Sequence, residues 1–361
     1  MNAVAPGPVY TLMVAVGVLT DEARQRTVPL GQRDPPDRRR RLQRRSAHEH
    51  GNHRDPANNL SRPPSRTSTE RHVRMSLTVH TLELGRAAAD STFFVRHRVP
   101  GTLVSAPVHG YLILGGDAPI VVDTGFRNDD VMARVGLHPE LRDENSMEAQ
   151  LDRYGVSIDE VGMVIQTHLH VDHAGHIDKF PTTTPVVVNR AEMEFAASGL
   201  QGLGYAPEDL KHMIDRTHAP DAVRWLDLEL TGPVSVAPGV RCEHAGGHTD
   251  GSLVVYVDTE HGPAAICGDI LYDIEDQVIT GLMQNGFLEP QVSNNFSGSL
   301  RGETAAIKKV LNNATFVLPG HDIGAKVENG QVIGRVEGLT VPGPVIALPS
   351  PGASREVSLN S

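Results

Sequence analysis

An α+β domain, in which sheets are covered by helices, is predicted by three features of this 361-residue chain. Short apolar runs bounded by turn residues recur in two groups, helical patterns fall between and after them, and one run leads directly into a histidine-rich string.

The organised part begins near Leu77. Apolar runs at 111–114 and 120–122, the second closed by Asp123, Thr124 and Gly125, read as two strands and a turn. The mixed region from Asp129 to Tyr154 holds a short helix ending near Gly155, and 161–166 is apolar enough for a buried strand. Residues after Asp172 read as the start of a helix with Ala174, Ile177 and Phe180 on one side. A strand at 186–188 and helices at 191–198 and 207–215 follow, with Pro207 suited to a first turn and Glu208 and Asp209 to its exposed amides. Strand-like runs then dominate from Val223, at 234–237, 240–244, 253–257 and 264–267. A helix at 304–311 and a strand at 315–318 before Pro319 complete the pattern, and no internal repeat is visible.

Charge and composition narrow the function classes. Lys and Arg number 33 against 44 Asp and Glu, a formal charge of −11 that favours solubility and argues against nucleic acid as a partner. The average conceals a basic front end that includes Arg38, Arg39, Arg40, Arg41, Arg44 and Arg45, separated by Pro, Asn and Ser. Such a segment buries little apolar surface, so 1–74 is expected to be a disordered extension, upstream of a start at Met75. A basic arm that grips nucleic acid or acidic lipid would show aromatic interleaving or helical periodicity, and neither is visible. The folded domain is expected at 75–340, and the Pro-, Gly- and Ser-rich 341–361 as a flexible tail. The apolar stretch 8–20 is too short for a membrane span and lacks a preceding positive region. Cys242 and Cys267, far apart in strand-like runs, read as reduced core cysteines of a cytoplasmic protein.

The decisive string runs Thr167, His168, Leu169, His170, Val171, Asp172, His173, Ala174, Gly175, His176. On an extended segment His168 and His170 point the same way, while Asp172 and His173 can turn to a second position. Two imidazoles plus an adjacent acid and imidazole are the donors that a pair of borderline-soft ions requires. Three later residues sit where a strand end meets a loop: His248 in a glycine-bracketed turn, Asp269 after the run through Cys267, and His321 after Pro319 and Gly320.

On these residues the chain resembles the metallo-β-lactamase superfamily, over roughly His80 to Asp322. The resemblance implies an αββα sandwich of two facing mixed sheets covered by helices. It implies His168, His170 and His248 on a first ion, Asp172, His173 and His321 on a second, and Asp269 bridging both, with two Zn2+ per chain. Class B β-lactamases usually carry cysteine at the bridging position, so Asp269 argues against antibiotic hydrolysis; Cys267 precedes that position and does not occupy it.

Within the superfamily the resemblance is to the N-acyl homoserine lactonases, which place a tyrosine three residues after the bridging aspartate, as in Asp269, Ile270, Leu271, Tyr272. The chain departs from many relatives at Ser252, where they have a second histidine, and in a longer interval between His173 and His248.

The implied activity is quorum-quenching ring opening of N-acyl homoserine lactones, or a related small lactone, by metal-activated hydroxide. Tyr272 would stabilise the developing oxyanion and the leaving alkoxide, and Asp172 would influence proton transfer. The alternative is hydrolysis of another lactone, a cyclic amide or, as in glyoxalase II, a thioester. A nuclease would bring an added nucleic-acid domain, and a silent binding protein would lack ligands. The expected partner is a small lactone or related ester, with no nucleic acid or membrane, and a homodimer is an expected state.

Neighbouring residues receive other readings. His176 is expected to be exposed or capping; Asp123 orients a metal-bound histidine or satisfies its own turn; Asp250 stiffens the His248 turn or supports a ligand; His244 has no assigned role. Gly110, Gly115 and Gly116 lack the spacing and following lysine of a nucleotide loop.

Overall fold

The computed structural model describes residues 76–280, 289–295 and 297–348. The expectations for 1–74, including the stretch at 8–20, and for the tail beyond 348 lie outside the described residues.

Two eight-stranded sheets face each other. The first is built from β1 (Thr78–Asp90), β2 (Leu103–Leu114), β3 (Ile120–Val122), β4 (His138–Glu140), β5 (Met163–Ile165), β6 (Val186–Asn189), β7 (Val223–Leu226) and β15 (Thr340–Val341). Its order is β15-β1-β2-β3-β5-β6-β7, with β4 paired to β1. The second comprises β8 (Val234–Ala237), β9 (Val240–His244), β10 (Leu253–Thr259), β11 (Gly262–Gly268), β12 (Phe316–Pro319), β13 (Ala325–Glu328), β14 (Gln331–Val336) and β16 (Val345–Ala347), in the order β16-β14-β13-β12-β11-β10-β9-β8. Strands β3, β5, β6 and β7 run parallel, as do β11 and β12. Buried on both faces, β5 and β6 read as continuous apolar runs without alternation.

Three apolar layers hold this sandwich. Between the sheets, Ile113, Val122, Ile165 and Val187 meet Cys242, Val255, Ile266 and Leu318. On the outer face of the first sheet, Leu82, Val121 and Val164 pack against Met132 of α2 (Asp129–Arg134), Leu151 of α3 (Met147–Asp152), Phe195 of α4 (Arg190–Ser198) and Met213 of α5 (Pro207–Thr217). On the outer face of the second, Val254, Ala265 and Val317 meet Ala306, Ile307, Val310 and Leu311 of α7 (Leu300–Asn313). The expected αββα architecture is therefore observed. Among the described residues two short α-helices, α1 (Ser91–Phe94) and α6 (Leu228–Thr231), and a π-helical turn at Glu275–Ile279 are added to these. Helix starts follow local chemistry: Ser299 Oγ accepts from Gly302 N at 3.1 Å to cap α7, and Pro207 opens α5 with Glu208 and Asp209 in its first turn.

Three differences from the sequence reading have physical causes. Residues after Asp172 form turns and a single 3-10 turn, Ile177–Lys179, in place of the expected helix. The Thr124 N–H donates to His173 O at 2.6 Å and the Gly175 N–H to Gly125 O at 2.8 Å, so the loop after β3 takes the groups an α-helix would use. Ala174, Ile177 and Phe180 nevertheless all enter the core. Strand β1, which the sequence did not reveal, carries a register shift between Glu83 and Arg86 around Gly85, and that bulge breaks the period-two pattern. Pairing also continues past the boundary expected at 340, because β15 adds to β1 and β16 to β14. The free cysteines Cys242 and Cys267 are buried. No helix among the described residues is long and apolar enough to cross a membrane.

Candidate metal centre

The strand-to-loop junctions of the two sheets deliver seven side chains to one place. His168, His170, Asp172 and His173 follow β5, His248 lies in the turn between β9 and β10, Asp269 follows β11, and His321 follows β12. Ligating atoms of His168, His170, His248 and Asp269 lie within 4.8 Å of one another, and those of Asp172, His173 and His321 form a second such group. Asp269 faces both: Oδ2 lies 3.6 Å from His248 Nε2 and 3.8 Å from His168 Nε2, and Oδ1 lies 3.0 Å from His173 Nε2 and 3.1 Å from His321 Nε2. Asp172, only 13% exposed, lies 3.4 Å from His321 Nε2 through Oδ2 and 3.8 Å from His173 Nε2 through Oδ1. All seven residues singled out from the sequence are thus brought together.

Each histidine is oriented from outside by an acceptor for its other nitrogen. His173 Nδ1 lies 2.9 Å from Asp123 Oδ2, His321 Nδ1 lies 2.8 Å from the Pro107 carbonyl, and His248 Nδ1 lies 2.8 Å from the Asn295 carbonyl. His170 Nε2 lies 3.1 Å from Gln201 Oε1. His168 Nδ1 lies 3.1 Å from Thr167 Oγ1, whose own proton goes to Asp123 Oδ2 at 2.7 Å. These contacts put an N–H on the outer nitrogen of each ring and turn the inner one toward the shared space, where it can offer its lone pair to a cation.

His248 Nε2 stands 2.8 Å from His170 Nδ1 and 3.1 Å from His168 Nε2, and His173 Nε2 and Asp269 Oδ1, buried and 3.0 Å apart, face each other without the alignment of a hydrogen bond. Lone pairs converging at this range repel unless cations lie among them, so the donor set fits two divalent ions. Space is equally constrained: a Cβ on Gly320 would stand 2.9 Å from His173 Cε1 and 3.0 Å from Asp269 Oδ1.

The electrostatics follow from burial and from the acids. Burial holds His168, His170 and His248 below the ordinary histidine range. Burial acts the same way on His173 and His321, but the Asp269 carboxylate outweighs it and raises both. Burial opposes ionisation of Asp269, yet His321 and His173 pull it well below its ordinary value. Tyr272 is buried, and burial followed by the Asp269 and Asp172 charges pushes its phenol well above the ordinary range, so it remains a proton donor. Its ring stacks on His321 with centroids 5.3 Å apart, and Phe93 and Phe94 meet it edge-on.

The neighbouring residues separate cleanly. Asp123, at φ 59°, is a ligand-orienting residue: besides His173 it accepts from Thr167 N through Oδ1 at 2.8 Å. His176 sits at the N-cap position of the Ile177–Lys179 turn but is buried rather than exposed, because its ring bonds the Thr124 carbonyl at 2.9 Å. Asp250 stiffens its turn by accepting from Ser297 Oγ at 2.9 Å, and His244 bonds the Asp250 carbonyl at 2.9 Å. Ser252 accepts from Thr249 N at 3.0 Å and closes the turn after His248.

Sequence reasoning missed the Pro107 carbonyl beside His321 and three further supports. Gln201 orients His170 and Asn295 orients His248. The third is Glu192, a fully buried carboxylate that accepts from Leu169 N and Tyr205 Oη, each at 2.9 Å, and from Thr249 Oγ1. It clamps the loop between His168 and His170 to the turn that carries His248. A Cβ on Gly251 would lie 2.0 Å from Glu192 N, so only glycine fits there. The available signal was an acid three residues before Phe195 on the buried face of α4.

Comparison with known proteins agrees with this geometry. The pattern defining the Metallo-beta-lactamase superfamily matches residues 106–321. An N-acyl homoserine lactonase from a Bacillus species is 31% identical over 203 residues, covering 53% of this chain and 75% of that protein. A probable metallo-hydrolase from Mycobacterium tuberculosis is 27% identical over 243 residues, covering 59% and 76% respectively. The crystal structure of a quorum-quenching N-acyl homoserine lactone hydrolase is 25% identical and superposes with a TM-score of 0.54, covering 69% of this chain and 93% of that one.

Proposed function

The chain belongs to the metallo-β-lactamase superfamily and carries a binuclear metal-binding cluster, as a metal-dependent hydrolase requires, and from that premise we propose that it opens the ring of N-acyl homoserine lactones or a related small lactone. The observation that carries this reading is the buried Tyr272, stacked on His321 beside the paired cluster and three residues after Asp269. His168, His170 and His248 would hold one ion, and Asp172, His173 and His321 the other, with one oxygen of Asp269 for each. Imidazole and carboxylate donors without a thiolate suit zinc. When bound, two zinc ions supply an activated water and Lewis-acid polarisation of a carbonyl.

The chain's own groups do the rest. Tyr272 keeps a proton at Oη beside the cluster and can give a hydrogen bond to the lactone oxygen as charge develops there. Asp172, the least buried of the seven, can take a proton toward solvent after ring opening. Phe93 and Phe94 pack edge-on against the Tyr272 ring as an apolar wall that holds it in place beside the cluster.

Tyr272→Phe tests the assignment in the full chain. Zinc content and fold are expected to be unchanged while kcat for an N-acyl homoserine lactone falls roughly 10- to 100-fold, the loss of about 1–3 kcal/mol from one transition-state hydrogen bond. Wild-type turnover with normal zinc would refute the role of Tyr272. A panel of lactone, glutathione thioester and β-lactam at equal concentration tests the substrate class, with the lactone expected to be turned over fastest. A faster thioester would replace the lactonase reading with a glyoxalase II-like one.

A further inference from the structure

We propose that Asn295 is a positioning residue that fixes the polarity of Tyr272, its side-chain amide donating to the phenol oxygen so that the phenol's own proton is turned toward the metal cluster. This rests on the reading of Tyr272 given above.

The tyrosine ring has little freedom of its own. It is stacked on His321, flanked edge-on by Phe93, Phe94 and His248, and anchored at its backbone N–H, which donates to Gln277 Oε1 at 2.7 Å. What remains free is rotation of the hydroxyl proton. Asn295 Nδ2 lies 2.8 Å from Tyr272 Oη, and an amide nitrogen has protons but no lone pair to offer, so the phenol oxygen is the acceptor in that contact. His248 Nδ1, 3.4 Å from the same oxygen, is engaged with the Asn295 carbonyl at 2.8 Å. With Asn295 and His248 accounted for, the phenol proton is left to the remaining side of the oxygen, beside the ring's stacking partner His321, where the proposed substrate oxygen would develop charge.

Asn295 is itself held. Its N–H donates to Ser293 Oγ at 3.1 Å, and the Ser293 N–H donates to the buried Glu303 Oε1 at 2.8 Å. Two different parts of one residue thus serve two groups: the main-chain carbonyl orients His248, and the side chain orients Tyr272. This division makes the two roles separable by mutation.

Asn295→Asp keeps the shape and the carbonyl beneath His248 but puts an acceptor where the amide donor stood, drawing the phenol proton away from the cluster. In the zinc-loaded full chain, zinc content and Tm are expected to stay at wild-type values. The kcat for the lactone is expected to fall about tenfold or more, with KM little changed, toward the Tyr272→Phe value. The double variant is expected to fall no further than Tyr272→Phe alone, because both changes remove one interaction. A readout independent of turnover is the 13C signal of the hydroxyl-bearing ring carbon in tyrosine-labelled protein, assigned by its loss in Tyr272→Phe and expected to shift in Asn295→Asp. An unshifted signal and wild-type kcat in Asn295→Asp, with Tyr272→Phe impaired, would overturn the proposal. Loss of zinc from Asn295→Asp would also overturn it, assigning the residue to His248 alone. Wild-type turnover in Tyr272→Phe would sink both the reading of Tyr272 and this inference.

Discussion

Replacing Asp269 by Ala is expected to cost hydrolysis and metal occupancy together. Its two oxygens face different histidine groups, Oδ1 toward His173 and His321 at 3.0 and 3.1 Å and Oδ2 toward His168 and His248 at 3.8 and 3.6 Å. One substitution therefore removes a ligand from each proposed ion. Bound zinc is expected to fall below about one per chain and turnover by about a thousandfold or more, because water activation and carbonyl polarisation share that site. Metal analysis and kinetics on a single preparation check both, and unchanged zinc with unchanged turnover would remove Asp269 from the centre. Asp269→Cys offers a metal-binding atom, but a single sulfur cannot stand in both oxygen positions, so it is expected to keep more metal than activity.

The second large effect belongs to Asp123, which touches no proposed ion. Its carboxylate accepts three buried hydrogen bonds, from His173 Nδ1, Thr167 N and Thr167 Oγ1, and its backbone has φ 59°, a region aspartate tolerates better than alanine. Asp123→Ala leaves all three donors unpaired in the core and is expected to cost about 3–5 kcal/mol, a drop in Tm of roughly 10 °C. Asp123→Asn separates stability from metal binding. Asn Oδ1 can still accept from Thr167 N, but the amide cannot accept from His173 Nδ1, so the ring loses the contact that keeps its inner nitrogen bare. That variant is expected to remain folded and to bind zinc about 10- to 100-fold more weakly. Wild-type zinc affinity in Asp123→Asn would show that the tautomer of His173 is set elsewhere.

The proposed ligands were legible because their signal is local. His168 and His170 alternate on an extended segment, and His248, Asp269 and His321 each follow a recognisable strand at a glycine-marked turn. Five strands of the second sheet, β8 to β12, were legible for a similar reason, since the runs of Val, Ile and Ala between 234 and 267 are bounded by Gly and Pro and the run at 315–318 ends at Pro319, whereas β13, β14 and β16 were not read. Strand β1 was hidden by its bulge at Gly85, and the turns after Asp172 by a helical spacing of Ala174, Ile177 and Phe180 that the backbone does not follow. The supporting residues were invisible for another reason: their partners are distant in sequence. Asn295 reaches back 47 residues to His248, and Glu192 reaches Thr249 across 57. Nothing in their own neighbourhoods marks an Asn or Glu as a strut, whereas Asp123 could be assigned only through its place in the family pattern.

Zinc titration of the metal-depleted full chain, followed by turnover of an N-acyl homoserine lactone, tests the central claim most directly. Turnover is expected to be absent in the depleted protein and to rise until about two zinc ions are bound per chain, one for each group of inward-facing donors. Full lactone turnover without metal, or a plateau after a single ion with the second group of ligands still open, would contradict it.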